Sequence, residues 1–555
     1  MMSIEDSIRR HAIENRLRYG KASEKAIIGK VLAEFPEERA DIQNLIERIR
    51  AVVKEVNDLG EEDLKLYEKR RKGRKRKLEL KLPRRVRNVV MRFAPNPNGP
   101  ATLGSARGIV VNYELARKYN GRFILRFDDT DPKTKKPMPR AYEWYLEDCK
   151  WLGAKPDEVY YASDRIPIYY RYAEKLIKLG KAYVCFCSRE RFKSLKDKKI
   201  ECQDRNRSIE KNLELWNNML SNKYEEGECV LRIKTDMKHK DPALRDWVAF
   251  RIIKEEHPRV KDRFIVWPTL DFESAIEDHI LGITHIIRGK DLMDSEKRQR
   301  FIYEYLGWEY PVTLHWGRIK IKEFGKFSTS KLKKDIENGK YFGWDDPRIP
   351  TLLALRRRGI SAEAIRNLII SLGINENDIS ISMENLFAEN RKVLDPIANR
   401  YFFVPNPRKI IVKNAKSLSI RIPLHPSFRE RGYREFHIRD NGRDEIELFI
   451  PGDDANELKE GDEIRLMNLF NIRIEEIDKE IIAKKLEEKN LKAKKVQWVQ
   501  DYIEGKVVMP TKIIRGYLEP LCNSLRVGDI VQFERFGFSK LDERDNVLVF
   551  YFAHR

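Results

Sequence analysis

The stretch from Arg92 to Asp131, RFAPNPNGPATLGSARGIVVNYELARKYNGRFILRFDDTD, constrains the fold of this 555-residue chain more tightly than any other. Val89, Val90, Met91 and Phe93 make a β-prone run that Pro95 to Pro100 cannot continue. Thr102 to Lys118 then places Ile109, Val110, Tyr113, Leu115 and Ala116 at helical spacing. Gly121 turns the chain into a second β-prone run, Arg122 to Phe127, which ends in Asp128, Asp129 and Asp131. Strand, loop, helix and strand in this order predict a parallel α/β unit. They set a helix N-terminus, with unpaired N–H groups and a positive dipole end, beside the carboxyl end of a strand, where phosphates are favoured. Neither GxxxxGK[ST] nor GxGxxG occurs in this window, so the loop is not one of the common phosphate cradles. Gly104 leaves room for a ligand against the backbone, and Thr102 and Ser105 supply hydroxyls. Taken alone, the window fits an ordinary βαβ corner as well as a nucleotide site.

Further motifs follow in order: GITHIIRGKDL (Gly282 to Leu292), GKFSTSK (Gly325 to Lys331) and GWDDPRIPTLLALRRRG (Gly343 to Gly359). The tail adds VQWVQ (Val496 to Gln500) and GDIVQFERFGFSKLD (Gly528 to Asp542). Together these resemble the class I glutamyl- and glutaminyl-tRNA synthetases, and within them the archaeal-type glutamyl branch. GPATLGSARG is similar to the HIGH motif with its flanks, RFDDTD to the acidic strand end that follows it, and GKFSTSK to KMSKS. The resemblance spans roughly 450 residues, and so many ordered motifs are far harder to meet by chance than one.

The resemblance implies a multidomain α/β protein. An N-terminal helical domain with a basic linker would occupy 1–82, and a Rossmann-like catalytic domain 83–330, with an insertion at about 185–250 that holds the acceptor end of tRNA. A helical stem-contact domain would follow over 331–404, and β-barrel anticodon-binding domains over 405–555. The residues read compatibly. Ser3, with Asp6 three residues on, can cap a first helix that Gly20 ends, and Ile42, Leu45, Ile46, Ile49, Val53 and Val56 form a helical stripe, either core or a face for a partner helix. KRRKGRKRK (Lys69 to Lys77) suits a phosphate-binding linker or a merely solvated one. The parallel pattern should resume through VWPTLDF and GITHIIRG to the strand before GKFSTSK. Residues 332–400 read as helical, with Arg356, Arg357 and Arg358 as phosphate contacts. Runs such as IELFIPG and EIRLMNLFNIRI, punctuated by GD turns, predict the barrels. Aromatic residues in VQWVQ and FERFGF offer either stacking for anticodon bases or barrel core.

Composition agrees. A formal charge of +22 and a pI near 9.4 favour a polyanionic partner such as tRNA, although basic faces are also merely solvated in many proteins. No apolar run approaches membrane-spanning length and the N-terminus lacks a signal core, so a cytoplasmic protein without a membrane partner is expected. Six cysteines in so long a chain do not make a disulfide framework. Cys185, Cys187 and Cys202 with Asp204 are either reduced thiols or the ligands of a structural Zn²⁺, which related synthetases sometimes carry in this region.

The expected chemistry is attack of a carboxylate on the α-phosphate of ATP, supplied with Mg²⁺, so the site must hold two anions together and stabilise charge passing to pyrophosphate. Arg92 and Arg288 each end a predicted strand, and a guanidinium fork matches a carboxylate. Asp128 and Asp131 can pair with a substrate ammonium. The resemblance assigns L-glutamate to Arg92, Ala94, Asn96, Asp128, Leu270, Ser274 and Arg288. It assigns ATP to Pro95, Asn96, Thr102, Leu103, Gly104, Ser105, Arg318, Ile319, Phe327, Ser328 and Thr329, and catalytic roles to Thr102, Gly104, Ser105, Lys326, Ser328 and Lys331. In the glutamyl branch an Arg stands at the position of Arg288, whereas glutaminyl enzymes usually have a neutral residue there.

Two motif departures stand out. Thr102-Leu103-Gly104-Ser105 lacks both histidines of HIGH, and Lys326-Phe327-Ser328-Thr329-Ser330 has Thr329 in place of the second lysine of KMSKS. Hydroxyls donate hydrogen bonds without bringing positive charge, which leaves Lys326 and Lys331 as the cations. The expected reaction is formation of glutamyl-adenylate and transfer of the glutamyl group to the 3′-terminal adenosine of tRNA(Glu), with tRNA(Gln) left open. The alternatives are a glutaminyl enzyme and a non-catalytic tRNA-binding paralogue. Retention of Arg92, Asp128 and Arg288 weighs against the second.

Overall fold

The structure is a computed structural model and describes residues 4–19, 21–60, 80–83, 88–325 and 328–555. The chain divides into two units, Met1–Glu79 and Leu80–Arg555. In the first, helices Ile4–Tyr19, Glu24–Glu34 and Ile42–Asp58 enclose one apolar core. Leu45, Ile49, Val53 and Val56 face that core, so the stripe is consumed within its own unit and is not open to a partner helix. Ile42 departs from the expected stripe: it opens the helix beside its Asp41 cap and is 43% exposed. The readings at Ser3, Gly20 and Lys69 to Lys77 lie outside the described residues.

The second unit is built on five parallel strands, in the order Glu158–Tyr161, Arg122–Phe127, Val90–Phe93, His285–Gly289, Val312–Trp316. Strand order reverses beside Val90–Phe93, and open α/β sheets bind ligands at the carboxyl ends next to such a reversal. Helices Leu103–Lys118 and Pro139–Trp151 join consecutive strands and bury Ile109, Val110, Phe123, Leu125 and Phe127 in one core. The first helix rests directly on its strand: a Cβ on Gly108 would lie 2.3 Å from the Phe93 ring, so only glycine allows that approach.

Between the third and fourth strands the chain forms an antiparallel meander of Ala182–Cys185, Val230–Ile233, Val248–Ile252 and Val266–Pro268. This corrects the expectation that VWPTLDF belongs to the parallel sheet. The reversal at His257–Lys261 returns Val266–Pro268 against Val248–Ile252, and a short apolar run does not reveal which neighbour it pairs with. Similarly, Ile319–Ile321, before GKFSTSK, pairs with Ile379–Ile381 rather than the central sheet.

Four helices, Thr329–Glu337, Leu352–Arg358, Ala362–Leu372 and Met383–Leu394, precede two sheet barrels. The six-stranded sheet runs from Arg408–Lys413 to Lys494–Val496 in sequence; the seven-stranded one takes Asn399–Tyr401 and Phe403–Pro405 together with strands between Ile503 and His554. Each encloses its own core. Trp498 and Phe533 are buried in the two barrel cores, while Phe538, 1% exposed, packs into the core of the parallel sheet and the helices that follow it. Of the three arginines read as phosphate contacts, only Arg356 is exposed. Arg357 pairs with Asp345, Asp542 and Glu543, and Arg358 donates to the Phe552 and Ala553 carbonyls. Successive helical residues point about 100° apart, so a triplet cannot face one ligand. Two of its members latch the helix to the last strands instead.

Candidate active site

At the carboxyl ends of the parallel strands lies a cavity of about 480 Å³. Thr102, Gly104 and Ser105 form the wall where the helix Leu103–Lys118 begins. Thr102 is its N-cap, in extended backbone, and its Oγ accepts the Ser105 N–H at 3.4 Å. A Cβ on Gly104 would meet nothing nearer than Thr102 Oγ at 3.5 Å, so the room beside Gly104 belongs to the cavity. Leu103 is 1% exposed and packs into the sheet core, which leaves only its backbone for a ligand.

The opposite wall comes from the loop after the first strand. Ala94, Pro95 and Asn96 line the cavity; the Asn96 amide donates to the Asp128 carbonyl at 2.9 Å, and its buried Oδ1 accepts no bond. Thr329 also reaches this cavity, against Gly99. Ser328 does not: it caps the helix Thr329–Glu337 and, with Lys331, lines a separate cavity of about 180 Å³. Arg318 and Ile319 lie off the lining as well, the former paired with Asp291 at 3.6 Å and the latter packed on the core. Lys326 and Phe327 lie outside the described residues.

The cavity floor is a buried charge network centred on Asp278, which sequence reasoning missed. Arg92 forks onto Asp278 through Nε and Nη2, both at 3.1 Å, and Arg126 donates to Asp278 at 2.8 Å and to Asp128 at 2.7 Å. Arg126 also donates to Ser274 at 2.7 Å. Burial alone would raise the Asp278 carboxyl, but Arg92 and Arg126 outweigh it and draw it down to about 2. Glu273 is wholly buried, with Arg126 Nε 3.6 Å from its Oε1; burial and the neighbouring Asp128 push its carboxyl well above the usual carboxylate range, against the pull of Arg126. Arg288 adds a third cation to this floor, its Nη2 3.9 Å from the Asp278 carboxylate that Arg92 and Arg126 already hold. It is 5% exposed, donates one bond, to Gln299 at 3.0 Å, and leaves Nε and Nη2 without acceptors. Burial, with Arg92 nearby, lowers its affinity for its proton. Leu270 and Ser274 complete this side.

Asp131 departs from its expected place: it binds Arg251 at 2.9 Å and caps the N–H groups of Lys133 and Thr134, away from the cavity. Asp129, between the two acids, accepts from Tyr142 and from the Ser163 N–H and hydroxyl, which fixes the strand end. The only signal in the sequence for Asp278 was the density of acids in LDFESAIEDHI, a helix otherwise suited to a core.

In the meander, ligand atoms of Cys185, Cys187, Cys202 and Asp204 lie within 4.8 Å of one another. Cys202 Sγ is 3.1 Å from Cys187 and 3.8 Å from Cys185, while Asp204 accepts the Phe186 N–H and pairs with Arg207.

A parallel sheet with a helix N-terminus and an arginine-rich floor at its carboxyl edge, followed by paired barrels, is the architecture of a class I synthetase. Family models agree: tRNA synthetases class I (E and Q), catalytic domain, matches residues 88–396, and two anti-codon binding domain models match 398–491 and 491–542. The chain is 54% identical to a glutamate–tRNA ligase of Archaeoglobus fulgidus, over 99% of this chain and 100% of that one. It is 50% identical to one of Methanosarcina mazei, over 99% and 98%, and 46% identical to one of Pyrococcus furiosus, over 100% of both. The chain belongs to the class I tRNA synthetases of the E and Q group.

Proposed function

We infer that this chain is a glutamate–tRNA ligase, which activates L-glutamate with ATP and transfers it to the terminal adenosine of tRNA(Glu). The observation that carries the choice of amino acid is Arg288, a buried cation with two open donors on the cavity floor. A side-chain carboxylate completes its fork; an amide would turn an NH₂ toward it and leave the charge unmatched. Asp128 and the open Asn96 Oδ1 receive the α-ammonium, and Arg92, holding Asp278 through two nitrogens, keeps Nη1 for the substrate. The α-carboxylate then attacks the α-phosphate of ATP, whose phosphates lie at the N-terminus of the helix Leu103–Lys118, against Thr102 and Ser105. Lys326 supplies charge to the departing pyrophosphate, since Lys331 lines the separate cavity beside Ser328. Mg²⁺ arrives with ATP, since the cavity carboxylates Asp128 and Asp278 are already taken by arginines. Residues 398–555 bind the anticodon side of the tRNA, and the meander its acceptor end. A cytoplasmic location follows from that substrate; among the described residues no helix is long and apolar enough to cross a membrane.

The three thiols and Asp204 fit a tetrahedral Zn²⁺ by donor type and spacing. Such an ion would tie the turn at Cys185 and Cys187 to Cys202 and take no part in catalysis. Aminoacylation of tRNA(Glu) and tRNA(Gln) transcripts with radiolabelled glutamate or glutamine tests the assignment. Glutamate should be charged onto tRNA(Glu), and charging of glutamine instead would overturn the role of Arg288.

A further inference from the structure

Gln299 lines the cavity floor beside Arg288, and neither the motifs nor the resemblance gives it a role. Arg288 belongs to the strand His285–Gly289, and Gln299 lies on the helix Met293–Leu306 that follows it. Gly307, in left-handed backbone, ends that helix, and the chain returns through Tyr310 into the strand Val312–Trp316. This return brings Tyr310 back onto Gln299, which is 1% exposed. Its Oε1 accepts from Arg288 Nη1 at 3.0 Å and from the Tyr310 hydroxyl at 2.7 Å. Tyr310 is itself held, with Arg300 4.5 Å from its ring centre and Tyr303 edge-on at 4.7 Å. Burial pushes the Tyr310 hydroxyl up to about 12, so it keeps its proton for Gln299.

These bonds fix the orientation of the amide. A guanidinium has donors only, so Gln299 must turn Oε1 toward Arg288; the flipped amide would set its NH₂ against an N–H. The same contact fixes Arg288. It is the one hydrogen bond Arg288 makes among the described residues, and with Nη1 tied back, Nε and Nη2 are the donors that remain. An acid also lies close by: Asp278 is 3.9 Å from Nη2 and is already held by Arg92 and Arg126. An Arg288 freed from Gln299 is drawn onto that carboxylate and away from the substrate. A recognition fork keeps its geometry only where the group behind it is locked in turn, and Tyr310 locks Gln299.

We propose that Gln299 is a positioning residue for amino-acid selection: through its bonds to Tyr310 and Arg288 it holds the Arg288 fork open toward the substrate's side-chain carboxylate and off Asp278. This rests on the ligase reading above, in which Arg288 meets that carboxylate. Selection of glutamate over glutamine then depends on a neutral acceptor at position 299, since an acid there would satisfy Arg288 before the substrate arrived.

The test is pyrophosphate exchange at saturating tRNA, with glutamate, glutamine and ATP varied in turn, in single variants and in a cycle with Arg288→Ala. Gln299→Leu should raise KM for glutamate about tenfold and change KM for ATP by less than about twofold. In the Arg288→Ala background the same substitution should cost less than about threefold, because the group it acts through is gone. Gln299→Glu should lower kcat/KM for glutamate about a hundredfold and shrink the preference over glutamine by at least about tenfold. Tyr310→Phe should raise KM for glutamate by about threefold. A KM for glutamate within about twofold of the wild type in Gln299→Leu, or an equal loss with and without Arg288, overturns the proposal and leaves Gln299 as packing. Should Gln299→Leu fail to fold, Gln299→Glu and Tyr310→Phe decide through the ratio of glutamate to glutamine use. If Arg288→Ala itself loses no glutamate activity, the choice of amino acid in the ligase reading falls and the role of Gln299 falls with it. A full loss in Arg288→Ala beside an inert Gln299→Leu removes the role of Gln299 alone.

Discussion

Replacing Arg288 by alanine separates substrate recognition from folding. In the free protein Arg288 makes one hydrogen bond, to Gln299, and leaves two buried N–H groups unmade beside the charge of Arg92. Its removal therefore forfeits one hydrogen bond, worth about 1 kcal/mol, while the lost attraction to Asp278 at 3.9 Å is offset by relief of the repulsion from Arg92. Binding glutamate converts the two open donors into charge-assisted bonds, each worth about 1.5–3 kcal/mol where the acceptor is ionised. Losing both should cost about 3–6 kcal/mol of binding, which lowers kcat/KM for glutamate by roughly two to four orders of magnitude. The loss should appear mainly in KM, since the side-chain carboxylate is held equally in ground and transition states. Discrimination against glutamine should shrink by a similar factor. Pyrophosphate exchange against glutamate concentration at saturating tRNA, paired with thermal unfolding, reads both effects. A variant with kcat/KM within threefold of the wild type would refute the assignment.

Other outcomes follow from buried groups. Asp148, on the helix Pro139–Trp151, is buried with neither carboxylate oxygen bonded, and burial pushes it up to about 7. The native state then binds a proton the unfolded chain has released, so wild-type stability falls as pH rises from about 4 to about 7. Asp148→Asn should match the wild type near pH 4 and exceed it above pH 7 by up to roughly 4 kcal/mol in denaturant unfolding; an equal gap at both pH values would exclude this cause. Arg358→Ala strands the Phe552 and Ala553 carbonyls and should cost about 2–5 kcal/mol of stability, whereas exposed Arg356→Ala should change it by less than about 0.5 kcal/mol; similar unfolding curves for the two would count against the latch. The purified protein should carry about one zinc per chain by elemental analysis, and Cys202→Ser should lose it; metal-free wild type of unchanged melting temperature would favour plain thiols.

Much of this protein was legible in order and spacing. The strand, loop, helix and strand of Arg92 to Asp131 could be read from the sequence because local chemistry dictates them: prolines break the first strand, Thr102 caps the helix and Gly121 starts the next strand. Arg92, Asp128 and Arg288 could be chosen because strand ends are where such a sheet binds ligands. The sequence could not show that Arg92 is shared with Asp278, 186 residues away, or that Glu273 is buried beside Arg126 and Asp128 with its carboxyl pushed up. Those facts depend on which helix the fold lays across the strand ends, and burial then sets the charges. For the same reason VWP joined the meander, two of three consecutive arginines became a latch, and Trp498 went into a core. A side chain's chemistry belongs to its sequence, but its partner and its contact with water are fixed only when distant segments pack, and that packing left Arg288 buried with two open donors.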